Sequence, residues 1–171
     1  ELIIDGGFLF ANEYVGPRRF QWTDQQIAAI NGVLAILPEN YRTLELDLQE
    51  MYLTLSNVPK EELIKVKESG FLLSLPLPDG NFADFKVVES PVMEEALAAR
   101  YPQIKTYLGQ GITDLSARIR FDLTPAGFHA IIFSSKGTVY IDPYSSGETR
   151  YYISYYKKDY TPTEEELNAT C

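Results

Sequence analysis

The chain has 171 residues, 45% of them hydrophobic and 13% aromatic, enough to bury one sizeable core and offset the conformational entropy lost on folding. Its 15 Lys and Arg stand against 24 Asp and Glu, a formal net charge of -9 that repels phosphate backbones and anionic lipid head groups and argues against nucleic acid and membrane surfaces as partners. The longest apolar runs, at 27–37 and 71–77, fall well short of the roughly 20 residues needed to cross a bilayer.

In chain order, Leu2-Ile3-Ile4 and Phe8-Leu9-Phe10 about Gly6-Gly7 read as two very short strands. Beyond Trp22, Thr23 or Asp24 supplies an N-cap for an apolar series at Ile27, Ile30, Val33, Leu34 and Leu37, which predicts a helix over 23–37 ended by Pro38. Alternation from Tyr41 to Leu48 predicts a half-buried strand facing the core with Leu44, Leu46 and Leu48. A short helical or irregular turn over 48–55 and a short strand over 63–66 follow. Strands at 71–77 and 82–88 flank Pro78-Asp79-Gly80-Asn81 and should pair as an antiparallel hairpin.

Ser90 as cap, Pro91 in the first turn and Glu94 and Glu95 near the positive end of the dipole predict a helix over 93–100, closed by Pro102. Strands then recur at 105–110, 117–123, 127–134, 138–142 and 151–156. The turns between them, Pro125-Ala126-Gly127, Lys136-Gly137 and Ser145-Ser146-Gly147, are short enough to demand antiparallel meander order. The acidic stretch 161–171, with Pro162 and Glu164-Glu165-Glu166, reads as an exposed linker. The expected fold class is α+β: a mainly antiparallel twisted sheet of about seven to nine strands, with the 23–37 and 93–100 helices packed on one face or end. The expected organisation is an N-terminal segment 1–40, a sheet domain 41–160 and a linker 161–171.

Chemistry-bearing residues are sparse. A zinc peptidase helix needs two histidines four residues apart with a glutamate between, and His129 is the only histidine. It sits within a strand pattern and reads as a packed or hydrogen-bonded residue; a hydrolase pairing it with a nearby serine or acid is the weakest functional reading. Ser134, Ser135, Ser145 and Ser146 fit turn chemistry, and Gly109-Gln110-Gly111 lacks the residues of a phosphate loop. Tyr151, Tyr155 and Tyr160, with Tyr140 and Tyr144, read either as an aromatic surface for a protein or glycan partner or as tyrosines packed alternately inward and outward. Cys171 is the single cysteine, so no disulfide forms within the chain; with no second ligand beside it, it reads from the residues alone as an unpaired thiol, the alternative being a soft thiolate ligand reaching a metal in a neighbouring domain.

Several runs carry a resemblance: Phe85-Lys86-Val87-Val88-Glu89-Ser90-Pro91-Val92-Met93, Gly109-Gln110-Gly111-Ile112, the stretch 119–130 with Leu123-Thr124-Pro125-Ala126-Gly127-Phe128-His129-Ala130, and Gly137-Thr138-Val139-Tyr140-Ile141-Asp142-Pro143-Tyr144. Together they resemble the N-terminal propeptide region of secreted bacterial reprolysin-like (adamalysin-type) zinc metallopeptidases, over roughly 41–160. The resemblance implies a non-catalytic propeptide, secreted or periplasmic, that assists folding of a downstream catalytic peptidase domain and holds it inactive until cleavage. It implies no cofactor in this chain and zinc in the downstream domain. Cys171 is placed to occupy the fourth zinc position in the manner of a propeptide cysteine, displacing the water that attacks the peptide bond. The alternative is an extracellular protein- or glycan-binding β-rich module using the tyrosine-rich strands.

Overall fold

Each alternating run of the sequence is a strand, and the strands close into one curled sheet. The structure, a computed structural model, describes residues 22–26, 36 and 38–162. The strands are β1 (Thr23–Asp24), β2 (Arg42–Glu45), β3 (Leu72–Pro76), β4 (Phe82–Glu89), β5 (Lys105–Gly111), β6 (Arg118–Thr124), β7 (Gly127–Ser134), β8 (Gly137–Pro143) and β9 (Tyr151–Tyr156). They lie in the order β1-β2-β9-β8-β7-β6-β5-β4-β3, every neighbouring pair antiparallel. Two short helices are present among the described residues, α1 (Leu48–Leu55) and α2 (Glu95–Arg100), so the architecture is mostly β.

The sheet forms a curled half-barrel. Ser154 on β9 donates its hydroxyl to the Pro76 carbonyl on β3 at 3.0 Å, although the two strands are far apart in sheet order. Arg42 fastens the same two regions. Its Nε and Nη2 donate to the Asp24 carboxylate at 2.6 and 3.1 Å, while Nη1 donates to the Leu77 and Asn81 carbonyls of the β3–β4 turn at 3.1 and 3.0 Å.

Period-two alternation decides what lies inside. On β6 the concave face takes Ile119, Phe121 and Leu123; β7 contributes Phe128, Ala130 and Ile132, and β9 contributes Tyr152. Trp22 packs edge-on against Phe128 and Tyr152 at 5.7 and 5.6 Å, and Tyr107 stacks on Phe121 at 4.7 Å. Helix α1, capped by Asp47 through the Glu50 N–H, adds Met51 and Leu55 one turn apart to the same core. Gly127 opens β7 with φ +123°, and a Cβ there would come within 3.2 Å of both Pro143 Cγ and Tyr152 Oη. Only glycine lets β7 begin this close to β9.

Four expectations change. Thr23 and Asp24 form an edge strand paired to Glu45 and Leu44, because Arg42 engages the Asp24 carboxylate that was expected to cap a helix. Most of that helix (27–35 and 37), the two opening strands and 163–171 lie outside the described residues. The 63–66 strand is a turn leading into a 3-10 segment, Val66–Glu68: the Leu63 and Ile64 N–H groups fold back on the Lys60 carbonyl, and Leu63 is exposed. Ser90 caps nothing, since its N–H and C=O are both taken by Thr106, and the helix starts only at Glu95. The expected boundary at 40 is crossed, because Trp22 and β1 belong to the same core and sheet as 41–160.

Candidate functional site

The outward residues of β5 to β9 build the site. Register sets Asp122 opposite His129 and Arg120 opposite Ile131, then Ile131 opposite Tyr140 and Tyr140 opposite Tyr155. Asp142 follows on β8, opposite Ile153. Val92, from the β4–β5 connection, overhangs this face and is exposed. The result is an open groove of about 350 Å³ lined by Val92, Thr106, Arg120, Asp122, His129, Ile131, Tyr140 and Asp142.

Its electrostatics are those of one imidazole between two carboxylates. His129 Nδ1 lies 3.3 Å from Asp122 Oδ1, and the hydrogen bond to Asp122 raises the imidazole above its ordinary range against the opposing effect of burial; the charges of Asp122 and Asp142 add to the rise. Burial pushes the Asp142 carboxyl up, partly offset by the Tyr155 hydroxyl, which donates to Oδ2 at 2.9 Å. Burial first, then the neighbouring Asp142 charge, drives the Tyr155 phenol well above its usual range, so Tyr155 stays protonated as a donor.

Ser134 and Ser135, read as turn residues, are engaged at the β7–β8 turn: Ser134 donates to the Gly137 carbonyl at 3.0 Å, and Ser135 donates to Asp114 of the β5–β6 loop at 3.3 Å. The Thr106 hydroxyl at the groove wall donates to the Ser90 carbonyl at 2.6 Å. Among the described residues no three His, Cys, Asp or Glu side chains gather as a metal site. Cys171 lies outside those residues.

The tyrosines fall in a band. Tyr140 and Tyr155 stack at 5.6 Å, and the Tyr160 ring meets Tyr155 edge-on at 6.1 Å. Tyr155, expected at a partner surface, is only 3% exposed, which leaves it a supporting role under its neighbours. Tyr151 is half-buried with the Arg150 guanidinium 5.2 Å above its ring. Arg120, Asp122, Ile131 and Tyr140 were not singled out as one surface from sequence. The signal was present: once Thr124 and Gly127 close the β6–β7 hairpin, Asp122 and His129 must face each other on the outer side.

No helix among the described residues is long and apolar enough to cross a membrane. The chain matches no family model, no curated protein and no solved structure.

Proposed function

We propose that this chain is the non-catalytic propeptide of a secreted or periplasmic zinc metallopeptidase, and that it docks the peptidase domain following it through the outer face of the sheet. One observation carries the docking surface. The chain leaves β9 through Lys157–Asp159, and the Tyr160 ring beyond that turn begins a continuous aromatic band through Tyr155 to Tyr140, which lines the His129 groove. Whatever is joined after Pro162 therefore starts beside the groove and its half-exposed Ile131 and Tyr140. A curled, self-supporting sheet with an apolar outer stripe is what a folding template and blocking domain needs, and the resemblance in sequence supplies the enzyme class.

Cys171 is the proposed zinc ligand. The residues after Pro162 span at most about 30 Å when extended, enough to carry a thiolate from the sheet into a facing catalytic cleft. There it would take the position of the attacking water.

The test adds the purified chain in trans to the peptidase encoded downstream and follows hydrolysis of a fluorogenic peptide. Inhibition is expected, weakened at least tenfold by Tyr140→Arg or Ile131→Glu and separately by Cys171→Ser. Inhibition untouched by the two outer-face changes refutes the docking surface. No inhibition by the native chain refutes the propeptide reading.

A further inference from the structure

A second concavity opens at one end of the half-barrel, away from the His129 groove. In an up-and-down meander alternate connections fall at the same end, so the β3–β4 turn, the β5–β6 loop and the β7–β8 turn converge there. They enclose a mouth of about 540 Å³, within the size range of small-molecule sites, which commonly form at the ends of β-barrels. Its floor, Phe85, Ala117 and Ile132, is sealed at 0%, 4% and 2% exposed, and the apolar surface open to a ligand is the wall of half-buried Leu77, Phe82 and Ala83. The close approach of the β5–β6 loop keeps that floor shallow and fixed, since Gly111 lies so near Asp114 and Ala117 that a Cβ would collide with both.

The rim is lopsided in charge. Asp79, Asp84 and Asp114 line the mouth against one lining cation, Lys136. Arg42, whose guanidinium sits 5.0 Å over the Phe82 ring, is matched by Asp24. Asp84 is engaged by the buried Ser74 hydroxyl. Asp114 Oδ1 accepts both the N–H and the hydroxyl of Ser116, at 2.9 and 2.5 Å, Oδ2 accepts the Ser135 hydroxyl at 3.3 Å, and these hydrogen bonds hold it below the usual carboxylate range. Partial burial pushes Asp79 up, but donation from the Asn81 N–H at 3.0 Å and the nearby Lys136 charge bring it below its usual range. Both carboxylates are ionised at neutral pH, and Asp79, at its exposed turn, is the more open to a further donor because Asp114 already accepts on both oxygens.

We propose that this mouth is a binding site for a small organic cation, with an aromatic or aliphatic stem lying on Leu77, Phe82 and Ala83 and an ammonium group at the Asp79 and Asp114 rim. An anion of the same shape meets the carboxylates and is repelled. A neutral analogue keeps the apolar contact and loses the charge-assisted hydrogen bonds. The proposal is independent of what docks on the outer face.

The test titrates the whole chain with three probes of one shape, 2-phenylethylammonium, 2-phenylethanol and 3-phenylpropionate, read by amide and methyl chemical shifts. Saturable binding of the ammonium compound is expected, with shifts at Leu77 and Ala83, at least about tenfold tighter than the alcohol, while the carboxylate does not bind. Asp79→Asn, at an exposed turn position that asparagine also suits, should weaken the ammonium compound severalfold without moving the alcohol. Lys136→Gln, also exposed, should tighten it. Absence of saturable binding up to about ten millimolar, equal affinity for the carboxylate or the alcohol, or an unchanged affinity in both variants overturns the proposal.

Discussion

Tyr152→Phe removes one oxygen and should cost the fold far more than its size suggests. The Tyr152 hydroxyl accepts from the Phe128 N–H at 3.3 Å and donates to the Thr149 carbonyl at 3.0 Å, inside a core where both rings are 0% exposed. It stands in for a ladder acceptor, because the β7–β8 pairing runs only from Ala130 onward and leaves the Phe128 N–H without a strand carbonyl. Burial raises the phenol to about 12, which keeps the proton on the oxygen as that double role requires. In the variant the Phe128 N–H loses its acceptor in a dry site, a loss of about 1–3 kcal/mol. Taking about 2 kcal/mol and roughly 3 °C per kcal/mol for a domain of this size, Tm should fall by about 6 °C. The assay is paired urea and thermal denaturation, with unchanged urea m-value as evidence that only the native state moved. Tyr140→Phe, on the half-exposed outer face, is the control and should stay within about 0.5 kcal/mol. A Tyr152→Phe midpoint within about 1 °C of the parent would refute the role given to this hydroxyl.

Further outcomes follow from the same contacts. Gly127→Ala should lose about 1–3 kcal/mol through its positive φ and the displaced Tyr152 oxygen, and in a double-mutant cycle its loss should be less than additive with Tyr152→Phe because both act on one contact; strict additivity would contradict the shared cause. Arg42→Ala strips the latch between β2 and the β3–β4 turn, costing about 2 kcal/mol and speeding amide exchange at Gly80; Arg42→Lys should recover little, since an ammonium cannot reproduce the fork. The raised His129 value means its stabilising contribution is full below about pH 6.5 and lost as pH rises through the higher folded value. The parent should therefore lose more stability than His129→Gln between about pH 5.5 and pH 8.5, and equal losses would sink that assignment.

Much of the sheet was legible because period-two alternation and glycine turns act locally, and β3 to β9 depend on little else. The edges were not. Thr23 and Asp24 carry good capping chemistry, and only Arg42, eighteen residues away in sequence, turns Asp24 into an ion-pair partner and the segment into a strand. Ser90 failed as a cap for a similar reason: Thr106, across the β4–β5 connection, consumes its backbone groups. At the candidate site, the Asp122–His129 pairing follows from one hairpin and was within reach of the sequence. The overhang of Val92 and the Tyr160–Tyr155–Tyr140 band depend on how loops fold back over the outer face, which no local pattern encodes. The same holds for the barrel mouth, where three turns meet that are remote in sequence.

The most direct measurement is to read the coding frame through and beyond the Cys171 codon. The propeptide account predicts His-Glu-x-x-His-x-x-Gly-x-x-His within a few hundred residues downstream, the two-histidine helix and third ligand of a zinc peptidase. A stop codon at once, or a downstream domain without that motif, would contradict it.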